Sequence, residues 1–269
     1  MSWFLDTALV AGGVGLVTGA LVPQLIARIP EPDPEPEPEA QSEAQPGNLP
    51  GSTAEPDTEK DPEKDAVLAP VEQEEAAKEL YVDMAAGPGL RWRTAMATAL
   101  VSGLVASRVG WAPALAFVLY LAPVGVALAV VDWRTRLLPT KVIAPSYLVM
   151  VALALLCALA DRDPEPLLRA GLGWLVAGGT FFVLWFVYPR GMGYGDVRLS
   201  GLLGISLGYL GWPELLTGVY AGFLLGGVGG LLLSLLRIVE RKAYPFGPFM
   251  LVGAVVGVLG GPYVAALYA

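Results

Sequence analysis

Long apolar segments alternate along the chain with short polar segments that contain proline, glycine and charged residues. A transmembrane helix needs about 20 predominantly apolar residues to cross a hydrocarbon core of roughly 30 Å. Eight segments meet or nearly meet this requirement. They cover residues 3–28, 93–110, 112–131, 142–160, 168–188, 197–212, 214–236 and 247–268. The pattern therefore predicts an all-α polytopic membrane protein with about eight transmembrane helices.

The basic residues are distributed unevenly between the two sets of alternating segment ends. Lys and Arg in short loops favour the cytoplasmic side of a membrane. One set of ends carries Arg28, Arg91, Arg93, Arg134, Arg136, Lys141, Arg190, Arg198, Arg237, Arg241 and Lys242, whereas the other carries Arg108, Arg162 and Arg169. We therefore expect both termini outside, and residues 29–92, 132–141, 189–196 and 237–246 in the cytoplasm.

The acidic residues are concentrated in one segment. Of the 25 Asp and Glu residues, 16 lie within residues 31–79, together with only three of the 17 Lys and Arg residues. The formal net charge of −8 is therefore a property of this segment. Since the rest of the chain is basic, the low isoelectric point does not indicate a soluble protein.

The same segment is rich in proline, with 10 prolines between Pro30 and Pro70. Such a sequence buries little apolar surface and is expected to stay extended and disordered. The sequence thus predicts three parts: a first transmembrane helix at 1–28, a cytoplasmic acidic Pro/Glu-rich linker at 29–92, and a seven-helix membrane core at 93–269.

The inventory of reactive side chains excludes several kinds of site. The chain contains no histidine and a single cysteine, Cys157, within an apolar segment. Zinc sites built on Cys and His, Ser-His-Asp triads, Cys-His pairs and haem sites with a His ligand are therefore excluded. Acid–base chemistry has to come from carboxylates, tyrosines, lysines or a bound cofactor.

Two aspartates stand at the edges of apolar segments. Asp132 ends the third segment and Asp196 begins the sixth, and the two crossings between them return the chain to the same side. Asp196 has the ordinary alternative of a helix N-cap, and Asp132 that of an interfacial acid beside Arg134. However, Gly193 and the neighbouring glycines of GMGYGD allow a second chain to approach closely, which an N-cap does not require.

Two carboxyl groups that face each other cannot easily both ionise, so such a pair shares one proton. The ionised member can accept a proton from a water molecule while the protonated member donates to a carbonyl oxygen. This arrangement hydrolyses an amide without a metal or histidine. Facing aspartates at 132 and 196 would therefore suit a protease.

These residues resemble the prepilin peptidase (type IV leader peptidase) family of membrane aspartic proteases. The resemblance rests on Asp132 in VVDWRTRLLP, on Asp196 in GYGD, on PFGP before the last segment, and on GLVTGALVPQLIARIP in the first. It implies that Asp132 and Asp196 are catalytic. The supporting motif residues that it implies are Gly193, Gly195, Pro139, Pro245 and Gly247.

The chain departs from the family pattern at three places. Thr140 follows the Leu-Pro where the family commonly has Asp. After GYGD the chain has Val-Arg, with Arg198, where the family usually has Val-Lys. The first cytoplasmic loop lacks the cysteine-bearing domain of bifunctional members, which is associated with S-adenosylmethionine-dependent N-methylation. The resemblance thus implies peptidase activity with no cofactor, and S-adenosylmethionine only if methylation is retained.

The resemblance also implies a location and a substrate. It indicates a multi-pass protein of the bacterial cytoplasmic (inner) membrane that cleaves type IV prepilins or pseudopilins at the cytoplasmic face. Their short basic leaders end in Gly and precede an apolar helix. The lipid bilayer is the other expected partner, and nucleic acid is not. Residues 31–79 could capture basic leaders or serve as a solvated spacer.

Two other interpretations remain open from the sequence. A small proton- or cation-coupled transporter could use the same aspartate pair and Gly-rich broken helices, although both acids lie at the membrane edge and no inverted repeat is evident. An inactive membrane subunit of a secretion system is the third. The cluster of glycines at 222, 226, 227, 229 and 230 is predicted to serve close helix packing.

Overall fold

The computed structural model describes residues 3–30, 81–189, 192–236 and 245–268. Within these ranges the helices account for all regular structure, which confirms the prediction of an all-α fold. In chain order they are α1 (Leu5–Gly19), α2 (Val22–Ala27), α3 (Tyr81–Ala85), α4 (Leu90–Val109), α5 (Leu115–Thr135), α6 (Thr140–Asp161), α7 (Glu165–Val187), α8 (Tyr194–Leu210), α9 (Trp212–Leu235) and α10 (Gly247–Tyr268).

Several of these helices are suited to a membrane. In the described part of the chain, five helical segments are long and apolar enough to cross a bilayer. They are Leu5–Ala27, Leu115–Thr135, Thr140–Asp161, Glu165–Val187 and Gly247–Leu267. Helices α4, α8 and α9 occupy the other three predicted segments. With several helices of membrane-spanning length, the chain is an all-α polytopic membrane protein.

The first predicted segment, residues 3–28, is not one helix. Helix α1 ends at Gly19, and α2 begins at Val22 with Pro23 in its first turn. Proline has no N–H to donate and its ring clashes with the preceding turn, so it begins a helix more readily than it continues one. Hydropathy does not register this break, because the residues on both sides are apolar.

Most of the predicted acidic linker lies outside the described residues, and its disorder stays a prediction. The part from residue 81 onward contains α3 and the start of α4. Tyr81 and Met84 of α3 are buried in a cluster that includes Val22, Ile26 and Val131. The prolines that indicated a linker end at Pro70 apart from one, which explains why the predicted boundary at 92 includes helical residues.

Glycines bring several helix pairs into close contact. Gly204 and Gly208 of α8 face Gly173 of α7, where an added Cβ would overlap backbone atoms. In α9, Gly222 lies against Met250 of α10, whereas Gly226 and Gly229 lie against the rings of Phe246 and Phe249. The predicted packing role is confirmed for these three, but it is wrong for Gly227, whose Cβ would have no neighbour within 4 Å.

The chain reversal between α5 and α6 places polar residues at one end of the bundle. Helix α5 ends at Thr135, and its C-cap Arg136 adopts the left-handed conformation at φ 56° and donates its N–H to the backbone carbonyl of Asp132 at 2.8 Å. Pro139 is the N-cap of α6, in extended conformation. The carboxyl end of α5 therefore lies at the same end of the bundle as the amino end of α6.

Candidate active site

Asp132 lies in the last turn of α5 and is 4% exposed. Its Oδ2 accepts a hydrogen bond from the Gly247 N–H at 2.9 Å. Gly247 is the first residue of α10, where backbone N–H groups have no partner within the helix and carry partial positive charge. The carboxylate is thus fixed by a helix end, and the alternative of a plain interfacial acid beside Arg134 is wrong.

Asp196 lies on the other side of the site, in the first turn of α8, and is 7% exposed. Its Oδ2 accepts a hydrogen bond from the Gly193 N–H at 3.2 Å. Gly193 is the N-cap and Asp196 is the third helical residue. The alternative that Asp196 is itself an N-cap is therefore wrong, because its side chain reaches back to the cap as in the second half of a capping box.

Leu138 lies between Gly195 of the GYGD motif and Gly247 of the PFGP motif. A Cβ on Gly195 would lie 2.7 Å from the Leu138 Cβ, and a Cβ on Gly247 would lie 3.5 Å from the Leu138 Cδ2. The same Cβ on Gly247 would lie 2.7 Å from the Asp132 Oδ2. Both motif glycines are therefore required for space, because any side chain there would displace Leu138 or Asp132.

The two carboxyl groups are both buried and are brought to one site by Leu138 and the two glycines. In the described part of the chain, no Lys or Arg forms an ion pair with either of them. Desolvated carboxylates that lie close together without a cation resist ionising together and hold one proton between them. Such a pair can both accept a proton from water and donate one to a carbonyl oxygen.

A second cluster next to Asp196 was not predicted from the sequence. The Arg198 guanidinium donates to the Thr140 hydroxyl and lies 4.6 Å from the centre of the Tyr194 ring. The Tyr147 hydroxyl donates to the Arg198 carbonyl oxygen at 2.6 Å. These contacts join the start of α6 to the start of α8. The sequence marks two residues of this cluster, since Thr140 and Arg198 both depart from the family pattern.

The remaining motif residues lie at the starts of helices. The Pro139 carbonyl accepts the first hydrogen bonds of α6, from residues 142 and 143. Pro245 is buried just before α10. Gly191 lies outside the described residues, and Lys141 is exposed. Among the residues described, no group of three or more Cys, Asp or Glu side chains could hold a metal ion.

Comparison with curated proteins finds several relatives that are prepilin leader peptidase/N-methyltransferases. The chain is 30% identical over 178 residues to the prepilin leader peptidase/N-methyltransferase of Pseudomonas aeruginosa, with 64% of this chain and 59% of that protein covered. It is 34% identical over 196 residues to the protein of the same name from Dickeya chrysanthemi, covering 65% and 64%. The Aeromonas salmonicida protein of that name is 33% identical over 182 residues, covering 64% and 58%.

The matched region thus spans less than two thirds of these relatives, and no solved structure matches the chain. The profile of the type IV leader peptidase family matches residues 119–264, more than half of the chain. This region includes both aspartates and the Pro245–Pro248 motif, whereas the resemblance of the first segment falls outside it. The chain belongs to the type IV leader peptidase family.

Proposed function

We propose that the protein is an aspartic endopeptidase that removes leader peptides from type IV prepilins or pseudopilins. The observation that carries the proposal is the pair of buried carboxyl groups at 132 and 196. They come from separate helices, each accepts a glycine N–H, and Leu138 lies between the glycines that adjoin them. The family match supports peptidase chemistry, and the relatives named above give no support to a transporter.

In this proposal Asp132 and Asp196 act as a general acid and a general base. The ionised carboxyl takes a proton from a water molecule, whose oxygen attacks the scissile carbonyl carbon. The protonated carboxyl donates to the carbonyl oxygen, which gives a tetrahedral diol. The C–N bond then breaks as the carboxyl that took the water proton passes it to the leaving nitrogen, and the other carboxyl recovers its proton from the diol. Gly247 and Gly193 hold one oxygen of each carboxyl in place through their N–H groups.

The proposed substrate has a short basic leader that ends in Gly and precedes an apolar helix. The proposed location is the inner membrane, with both termini outside and the site at the cytoplasmic face. The bias of Lys and Arg toward one set of segment ends supports this orientation. A substrate inserted in the same membrane would then present its leader on the side where the aspartates lie.

A cleavage assay in oriented membranes tests activity and orientation together. We expect inverted inner-membrane vesicles containing the protein to cut an added prepilin after the Gly that ends the leader, as read by mass spectrometry of both products. Right-side-out vesicles should not cut it until they are permeabilised. A prepilin with a substituted leader Gly is the control. Absence of cleavage by the inserted protein, for both prepilins and pseudopilins, would contradict the proposal.

We also propose that cleavage needs no cofactor and that the product is not methylated. The proposal rests on the sequence of the first predicted cytoplasmic loop, which contains no cysteine, since Cys157 belongs to α6. We expect the mature pilin produced with S-adenosylmethionine present to have the same mass as that produced without it. A gain of one methyl group at the new N-terminus would show that methylation is retained.

A further inference from the structure

A long cavity lies between α6 and α7, and α8 forms its floor. Its volume is about 870 Å³, within the range of about 300–1,000 Å³ that is usual for ligand pockets. On α6 it extends from Thr140 to Ala154, a helical distance of about 21 Å at 1.5 Å per residue. We call this cavity the α6–α7 slot. Its length is about two thirds of the hydrocarbon thickness of a bilayer.

The wall formed by α7 is open because it contains glycine. Gly171, Gly178 and Gly179 line the slot. A Cβ on Gly171 or on Gly179 would have no neighbour within 4 Å, so nothing in the described part of the chain fills the space in front of them. Bare helix backbone of this kind lets another helix approach closely in a membrane.

One end of the slot is polar and lies at the level of the first turns of α8. Thr140, Tyr194 and Arg198 line this end, and Asp196 belongs to the same turns of α8 as Tyr194 and Arg198. The rest of the lining is predominantly apolar, with Val151, Leu175 and Phe182 among its residues. A chain in the slot would therefore have an apolar part in the bilayer and a preceding part at the end of the bundle where α8 carries Asp196.

We propose that the α6–α7 slot receives the apolar helix of the prepilin during cleavage. The inference rests on the proposed function, because it adds a binding site for the part of the substrate that follows the scissile bond. Three features identify a helix as the occupant: the slot extends along α6, its α7 wall offers bare backbone, and its polar end lies at the level of the start of α8, which carries Asp196. Seating the helix there places the residues before it at the end of the bundle that carries Asp132 and Asp196.

Filling the slot tests this proposal without touching the aspartates. In Gly171→Leu and Gly179→Leu the new side chain projects into open space, so each protein is expected to insert normally. We expect KM for full-length prepilin to rise about tenfold or more with kcat nearly unchanged, because binding energy common to ground and transition states is lost. Gly13→Leu and Gly227→Leu are matched controls, since their Cβ positions are equally open but lie outside the slot.

Cross-linking gives a second measurement that does not depend on turnover. In an Asp196→Asn, Cys157→Ser background, Val151→Cys places a thiol in the slot, whereas Leu155→Cys places one on α6 outside it. We expect a prepilin with one cysteine in its apolar helix to cross-link to position 151 and not to position 155. Equal yields at both positions, or KM values in both slot variants equal to wild type, would overturn the proposal.

The outcomes also separate this inference from the proposed function. A wild-type protein that cleaves prepilin, together with slot variants that behave like their controls, refutes only the slot. A wild-type protein that cleaves no prepilin refutes the proposed function, and cross-linking still reports whether the slot binds a helix. If cross-linking then fails as well, both proposals fall.

Discussion

Asp132→Asn and Asp196→Asn are each expected to lower the rate of prepilin cleavage by about 10²–10⁴-fold, the usual contribution of general acid–base catalysis. Asparagine keeps the shape of aspartate, and its amide oxygen can still accept the N–H of Gly247 or Gly193. The variants therefore remove the exchangeable proton and leave the anchoring hydrogen bonds available. Cleavage by purified protein in proteoliposomes, followed over time by mass spectrometry, measures the effect.

The pair should also behave as a unit. Since neither carboxyl can complete the proton transfers alone, the double variant is expected to be no slower than the slower single variant. Asp161→Asn is a suitable control, because Asp161 is exposed at the end of α6, which begins near the site at Thr140. Near wild-type cleavage by either single variant would remove that aspartate from the mechanism.

Gly247→Ala is expected to give the second largest loss, on the order of 10–100-fold in kcat/KM. A Cβ at this position would lie 2.7 Å from the Asp132 Oδ2, which is closer than real Cβ atoms approach an oxygen, so the carboxyl has to move. A displacement of about 1 Å at a catalytic group can cost roughly 10²-fold in rate. Steady-state kinetics in proteoliposomes, with protein insertion checked in parallel, would measure this loss.

The matched control for this variant lies on the same helix. In Gly260→Ala the new Cβ would have only the Thr217 Cγ2 nearby, at 3.6 Å, an ordinary contact distance. This variant should retain wild-type activity and gain slightly in helix propensity. Similar activity in Gly247→Ala and Gly260→Ala would show that the Asp132 carboxyl does not depend on the space left by the glycine.

The overall architecture could be predicted because bilayer thickness imposes a length on apolar segments. Seven of the eight predicted segments correspond to single helices. The first is divided into α1 and α2, and Pro23 lies in the first turn of α2. Counting the crossings between Asp132 and Asp196 also placed them at one end of the bundle. These predictions use only hydropathy and the parity of crossings, both of which are properties of sequence order.

The details of the site could not be predicted in the same way. The alternative of an N-cap at Asp196 places the start of the helix too late, since α8 begins two residues earlier at Tyr194, with glycine at 193 in the cap position. The hydrogen bond from Gly247 to Asp132 joins residues 115 positions apart. Nothing in the local sequence specifies such a pairing, which depends on how α10 packs against α5.

The contact between Thr140 and Arg198 illustrates the same limit. Each residue departs from the family pattern, but their pairing depends on the packing of α6 against α8. The structure shows that the Arg198 guanidinium reaches the Thr140 hydroxyl. The two departures therefore meet in a single contact between α6 and α8.

The side chain of Leu138 helps to set the width of the candidate active site. This one side chain occupies the space that a Cβ on Gly195 of α8 or on Gly247 of α10 would enter, so its thickness helps to set the gap between the helices that carry or anchor the two carboxyl groups. In the proposed mechanism, a water molecule and a peptide carbonyl have to fit in that gap together. The width available to the proposed scissile bond would then be set in part by an apolar residue that takes no part in proton transfer.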